Sequence, residues 1–260
     1  MTSNLKTETT DNAFLGGRLQ ILQPAQGYRA GVDPVFLAAS IPARPGQEVL
    51  ELGCGVGTAL FCLGARVAGL ELHGVELQPE YAALARENAR RNGMAAEITD
   101  ADISCLPPAL RGRSFDHVIA NPPYFDRDTG HASPDGPRET GRGEALPLGD
   151  WVQVAAKRLR PGGHASFIQR IERLPELLQG MSAHLGSVEV LPLAPRVGRG
   201  AKLVLIRGRK GGGAAFRLHA PLILHRGTRH ERDGDDYTPL ISKVLRNGAA
   251  LPFEQAQTEG

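Results

Sequence analysis

From Glu48 onward the chain alternates short apolar runs with stretches of helical periodicity: EVLEL, GTALFCLGARVAG, LHGVEL, PEYAALARENARRNG, AAEITD and FDHVIAN follow one another. The apolar runs are of strand length and the stretches between them are long enough to cross back over a sheet. That is the pattern of βαβ units feeding a parallel sheet covered on both faces. Residues 148–160 carry Leu148, Trp151, Val152, Ala155 and Leu159 at helical spacing and stop at PGG, after which HASFIQR resumes as a strand. Residues 171–185 predict another helix, VEVLPLA and AKLVLIRGR a terminal antiparallel pair, and DYTPLISKVLRNG a late helix stopped by Gly248.

Ahead of this run, GGRLQILQP predicts a short strand or hairpin, and DPVFLAASI a helix with Asp33 as cap and Pro34 at its first position. With 260 residues, 41% hydrophobic and 22% charged, one sizeable core and a single domain are expected. Within it we distinguish a flexible tail (1–12), an N-terminal module (13–46), a catalytic core (47–210) and a C-terminal extension (211–260) that turns polar after Leu251. No uninterrupted apolar stretch approaches the roughly 18 residues of a membrane span, and MTSNLKTETTDN lacks the apolar segment of a secretory signal. The expected compartment is the cytoplasm.

Cys54, Cys62 and Cys105 show no CxxC spacing, and His219, His225 and His230 are not placed to share one helix face, so neither a disulfide framework nor a metal site is expected. A net charge of +2 is too small to name a partner by itself. Basic residues do gather locally, as Arg86, Arg90 and Arg91 in one predicted helix and as Arg196, Arg199, Lys202, Arg207, Arg209 and Lys210 around a late strand.

Glu51-Leu-Gly-Cys-Gly-Val-Gly57 closes the first strong strand and opens a helix, so its glycines let the backbone turn tightly beside a bound ligand. A dinucleotide fingerprint would need a third glycine where Thr58 stands, which disfavours NAD and FAD. Glu76 ends the second strand, where a carboxylate can accept from two ribose hydroxyls, and Asp102 follows the third, where an adenine amine can donate to it. Ribose recognition without a pyrophosphate loop fits S-adenosylmethionine. Gly53, Gly55, Gly57, Leu77 and Ile103 complete the expected cofactor lining together with Asn121.

These residues resemble the class I methyltransferases over residues 49–209, with ELGCGVG as the glycine motif and GVELQPEYAALARENARRNG as the strand and helix that follow. The resemblance implies a Rossmann-like α/β fold: a seven-stranded, mostly parallel sheet with helices on both faces, in the order 3-2-1-4-5-7-6 with strand 7 antiparallel. It also implies that the glycine loop wraps the methionine part of the cofactor.

The fourth strand runs directly into Asn121-Pro122-Pro123-Tyr124. A planar amine is a poor nucleophile because its lone pair is delocalised. The Asn121 side-chain oxygen and the Pro122 carbonyl can each accept one amine hydrogen, turning the lone pair toward the methyl donor without a general base. Consecutive prolines stiffen the backbone that carries these acceptors, and Tyr124 offers a face for a flipped-out base.

NPPY is shared, by resemblance, among enzymes acting on adenine N6, guanine N2 and the glutamine amide of release factors, so it names chemistry rather than substrate. GYRAGVDPVFLAA before the glycine motif and ETGRGEALPLGDW before KRLRPGGHASFI are similar to segments of the bacterial tRNA1(Val) adenine-37 N6-methyltransferase family. That family's downstream loop has Ala and His where this chain has Gly141 and Gly143. The resemblance implies tRNA as partner, S-adenosylmethionine as cofactor, and a place for Arg29 and Asp33 over its amino-acid end. Residues 125–146 are aperiodic and polar, and their Arg127, Arg138 and Arg142 are candidates for RNA phosphate contacts. Methylation of a protein glutamine or of a DNA or rRNA base, and a non-catalytic binding subunit, stay open as alternatives. Oligomeric state is not legible.

Overall fold

The computed structural model describes residues 8–124, 146–227 and 236–254. Strands β1 (Thr9–Phe14) and β2 (Leu19–Pro24) form an antiparallel hairpin. Thus the chain is already paired from Thr9, inside the stretch assigned to a flexible tail.

The main sheet contains β3 (Glu48–Leu52), β4 (Glu71–Glu76), β5 (Ala96–Asp100), β6 (Phe115–Ala120), β7 (Leu159–Arg170), β8 (Gly186–Ala194) and β9 (Leu203–Arg209). Their spatial order is β5-β4-β3-β6-β7-β9-β8, with β9 antiparallel to both of its neighbours. This is the implied 3-2-1-4-5-7-6 arrangement. Two further two-residue strands, β10 (Arg217–Leu218) and β11 (Leu222–Ile223), pair in parallel with β8 and make the sheet nine-stranded rather than seven-stranded. They cover backbone donors and acceptors that β8 would otherwise leave open at the sheet edge.

The helices are α1 (Asp33–Ser40), α2 (Thr58–Arg66), α3 (Pro79–Arg91), α4 (Pro108–Arg111), α5 (Leu148–Arg158), α6 (Leu174–His184) and α7 (Pro239–Asn247). Alternate strand residues face opposite layers. Val49, Ile119, Ile168 and Leu205 pack with α1, α2, α3 and α7, whereas Leu50, Val118, Phe167 and Ile206 pack with α4, α5 and α6. Each layer is a contiguous apolar core.

Three boundaries differ from the sequence reading. Helix α5 stops at Arg158, and PGG lies inside β7 as an irregularity against β6, with Gly162 at φ +81. Residues 171–185 divide into a 3-10 turn (Ile171–Arg173) and α6, because Pro175 lacks an N–H and therefore sits in the first turn of the new helix. Asp33 lies within the first turn of α1 with Val32 at the cap position, and its side chain makes no capping bond. Its carboxylate is drawn away by the Tyr124 hydroxyl instead.

The hairpin is docked by two asparagines of the α3 region that imitate a neighbouring strand. Asn88 accepts from Leu22 N (2.8 Å) and donates to Leu22 O (3.0 Å). Asn92 likewise accepts from Gln20 N (3.0 Å) and donates to Gln20 O (2.9 Å). The Asn88 amide also donates to Val56 O in the glycine loop (3.0 Å), tying the N-terminal module to that loop. Asn88→Ala removes a side chain that partners three backbone groups, one buried and two part-buried, and is expected to destabilise the fold by about 2 kcal/mol. Urea denaturation checks this, and a loss below about 0.5 kcal/mol would show the asparagine to be dispensable.

Candidate active site

The carboxyl ends of β3, β4, β5 and β6 lie side by side, which brings Glu51, Glu76, Asp102 and Asn121 to one edge of the sheet. That edge is where ligands bind in open α/β sheets. Gly53, Gly55 and Gly57 all have positive φ (62°, 54° and 86°). At Gly53 a Cβ would come within 2.7 Å of Trp151 Cη2, so the glycine there serves packing as well as turning. At Gly55 a Cβ would meet nothing within 4 Å. The backbone beside Gly55 therefore borders open space that a ligand can fill.

Two buried carboxylates hold this loop. Glu76 accepts from Gly55 N (2.8 Å) through Oε2 and from Gln78 N (2.9 Å) through Oε1, which fixes the loop and the start of α3 around one side chain. Glu51 accepts from Leu60 N (2.9 Å) in the first turns of α2. Burial pushes the Glu51 carboxyl well above its ordinary pKa, the Glu76 charge adds to the rise, and the Leu60 bond opposes it. A cationic group arriving beside the pair would favour the charged forms. Asp102 accepts from Ser104 N (2.7 Å) and so caps the 3-10 turn Ile103–Cys105, with its second oxygen still available as an acceptor. Leu77 stands 55% exposed beyond β4, an apolar platform next to the acids, while Ile103 is buried. The acidic acceptors, the open space at Gly55 and the exposed Leu77 suit a charged nucleoside with an amino-acid tail.

Beyond β6, the Asn121 side-chain oxygen is buried and has no hydrogen-bond partner among the described residues, while its Nδ2 donates to the Tyr28 hydroxyl (3.2 Å). The Pro122 carbonyl accepts from Nε2 of the buried Gln169 (3.2 Å). Tyr124 donates to Asp33, and the Arg170 guanidinium lies 5.5 Å from the centre of its ring. Burial raises the Asp33 pKa, whereas the Tyr124 bond and the Arg170 charge lower it. Burial and then Asp33 push the Tyr124 phenol far up, so it remains a donor at any working pH. Pro123 is exposed.

Arg29 donates to Asn12 Oδ1 (3.1 Å), within a polar knot that includes Thr10 and Gln23, so its guanidinium is engaged with the hairpin. Arg127, Arg138 and Arg142 lie outside the described residues. Both basic runs are largely consumed by internal contacts. In the first, Arg86 pairs with Asp100, Arg90 with Glu87 and Arg91 with Asp11. In the second, Arg196 pairs with Asp236 and Arg207 with Glu189, while Arg209 and Lys210 donate to the Gly162 and Leu159 carbonyls.

Glu48, Glu71 and His73 come close enough together to suggest a metal site. The Arg113 guanidinium, however, reaches Glu48 (3.0 Å), Glu71 (4.0 Å) and His73 Nε2 (3.0 Å), and supplies the positive charge there. His219 and His225 face Glu189 and Asp236, and His230 is outside the described residues.

Tyr28, Gln169 and Arg170 escaped the sequence reading. A signal existed for Gln169, a polar residue interrupting the apolar run of HASFIQR. Tyr28 sits beside the highlighted Arg29, but nothing in GYRAGVD says which of the two reaches the site.

A family profile described as a methyltransferase domain matches residues 49–132. A crystal structure of a "predicted O-methyltransferase" from Agrobacterium tumefaciens superposes with a TM-score of 0.67 at 26% identity, covering 85% of this chain and 98% of that one. The Thermus thermophilus 16S rRNA N2 G1207 methyltransferase, solved with AdoMet and guanosine, shares the fold with a TM-score of 0.55 at 20% identity, covering 78% and 50% of the two chains. The sheet order and the acid-flanked glycine loop, with these matches, define a class I S-adenosylmethionine-dependent methyltransferase.

The tRNA1(Val) (adenine(37)-N6)-methyltransferase of Porphyromonas gingivalis is 32% identical over 190 residues, which cover 67% of this chain and 74% of the relative. The Actinobacillus succinogenes protein of the same name is 28% identical over 205 residues, covering 75% and 82%. The chain belongs to this family. Among the described residues no helix is long and apolar enough to cross a membrane.

Proposed function

We propose that the chain methylates the exocyclic N6 amine of an adenine in tRNA, with Asn121 and Pro122 as the groups that accept the two amine hydrogens. S-adenosylmethionine supplies an electrophilic sulfonium methyl. The observation that carries the reading is the unpaired, buried Asn121 oxygen at the end of β6, beside the acid-lined glycine loop. A buried acceptor without a donor is costly in a folded protein, and an amine hydrogen satisfies it. The names of the relatives support adenine in tRNA as the acceptor.

In this reading Glu76 receives the ribose hydroxyls, Asp102 and Ile103 flank the adenine of the cofactor, and Leu77 lies against it. Gly53, Gly55 and Gly57 shape the loop around its methionine part, near Glu51 and Asp33. Asn121 Oδ1 and Pro122 O draw the two hydrogens of the substrate amine into one plane with themselves, which leaves the nitrogen lone pair directed at the methyl group. As the N–C bond forms, the methyl–sulfur bond of the donor would break, its sulfur leaving as a neutral thioether, and the nitrogen becomes cationic. Those same acceptors stabilise its hydrogens until one is released to solvent. Pro123 stiffens the segment, and Tyr124, held by Asp33 and backed by Arg170, presents its ring to the target base.

The hairpin, α7 and the Leu251–Phe253 segment share one core with α1 to α3, which supports treating the chain as one domain. The connection between β8 and β9 lies at the same sheet edge as Tyr124, since Ile171 N donates to Lys202 O (3.0 Å) directly after Arg170. It exposes Arg199, Lys202 and Val197, the last at 65%. We assign this rim to RNA phosphates. The double variant Arg199→Glu, Lys202→Glu is expected to raise KM for tRNA about tenfold, with kcat within twofold and a salt dependence shallower by about two phosphate contacts. An unchanged KM removes the rim from the interface.

The acceptor itself is tested by nucleoside mass spectrometry of total tRNA from cells lacking the gene, before and after incubation with the purified protein and S-adenosylmethionine. Restoration of one N6-methyladenosine signal is expected. If no tRNA nucleoside changes, the assignment fails and a protein amide becomes the acceptor to test.

A further inference from the structure

The two acceptors of the NPPY segment are each held by a side chain from elsewhere in the chain. Asn121 poses the sharper problem, because its amide can turn over and exchange oxygen for nitrogen at little cost unless neighbours distinguish the two ends. Here the Tyr28 hydroxyl distinguishes them by accepting from Nδ2 at 3.2 Å, which leaves Oδ1 as the atom without a partner. The Asp33 and Glu51 carboxylates act on that hydroxyl, whose pKa is pushed up to about 12 by burial and then by their charges, although half of the residue's surface is open.

Gln169 does the corresponding work for Pro122. It is fully buried in β7, its Nε2 donates to the Pro122 carbonyl at 3.2 Å, and its Oε1 accepts from Arg170 N at 2.8 Å. Reversing this amide would set its oxygen against a carbonyl and its NH2 against an N–H, losing both bonds. A carbonyl has two lone pairs, so one remains for the substrate.

We propose that Tyr28 and Gln169 are positioning residues that fix which end of Asn121 and which lone pair of Pro122 meet the amine, and thereby restrict the site to a planar nitrogen bearing two hydrogens. This rests on the amine-methylation reading above. Neither residue touches the substrate amine. Each acts through the acceptor it holds.

Tyr28→Phe removes one hydroxyl from a half-open side chain, and Gln169→Glu preserves shape and the acceptor for Arg170 N while losing the donor once its carboxyl ionises. Both are expected to lower kcat for tRNA about tenfold, with KM and the S-adenosylmethionine Kd within twofold and an unchanged melting profile for Tyr28→Phe. The Gln169→Glu enzyme should also regain activity relative to wild type as pH falls, since a protonated glutamic acid restores an O–H donor to Pro122. Tyr28→Phe has no group to protonate and should show no such recovery.

Wild type and Asn121→Ala are assayed alongside. A wild type inactive on tRNA overturns the proposed acceptor. If wild type is active and Asn121→Ala is impaired, unchanged kcat in both positioning variants overturns the present inference alone. So does a parallel loss of kcat and cofactor affinity without pH recovery, which marks a merely structural role.

Discussion

Asn121→Ala is expected to reduce turnover on tRNA by about a hundredfold or more while leaving the S-adenosylmethionine Kd within twofold. The magnitude is that of losing one preorganised hydrogen-bond group at a reacting centre. The separation of rate from binding follows from the geometry. The Asn121 oxygen has no partner in the described fold, so its removal strands no other group, and only the half-exposed Tyr28 hydroxyl loses a protein contact. The carboxylates that shape the cofactor loop are anchored separately, to Gly55, Gln78 and Leu60. Calorimetry gives Kd, and single-turnover methyl transfer at saturating tRNA gives the rate. Equal losses in both would show that Asn121 serves the cofactor rather than the amine.

Glu76→Ala is expected to show the opposite profile, with cofactor Kd weakened about a hundredfold. One side chain accepts from two backbone N–H groups of the loop and of α3, and it is also the candidate acceptor for the ribose hydroxyls. Charge-assisted hydrogen bonds of this kind contribute roughly 1.5 to 3 kcal/mol each, so losing the ribose contacts and the loop geometry together readily reaches a hundredfold. Glu76→Gln should fall between, because its amide oxygen can still take the Gly55 N–H. Calorimetric titration with S-adenosylmethionine decides. A Kd within threefold of wild type for Glu76→Ala would remove the carboxylate from the cofactor site.

Much of the candidate site was legible because its requirements are local. The positive φ at Gly53, Gly55 and Gly57 demands glycine at those very positions, and the acids sit at strand ends that hydrophobic alternation marks. The paired prolines likewise announce a stiff segment after β6. Boundaries were less legible where two local signals competed. PGG after α5 reads as a loop, yet β7 carries it as an irregularity because β6 and β9 supply partners on both sides. Asp33 before Pro34 reads as a helix cap, yet the Tyr124 hydroxyl takes its carboxylate.

The chain's periodicity and its two motifs determined the α/β class and marked the glycine loop and the proposed amine acceptors. Only the tertiary structure decided how those acceptors are held and which charges remain free. Tyr28 meets Asn121 across 93 positions, Asp33 meets Tyr124 across 91, and Gln169 meets Pro122 across 47. Composition shows two basic clusters, but packing brings carboxylates or carbonyls to most of their members and leaves Arg199 and Lys202 exposed at the rim. The physical reason is one of range. Backbone torsion and hydrophobic period are set by neighbouring residues, whereas the direction of a side-chain amide is set by whichever distant donor or acceptor the packed sheet brings beside it.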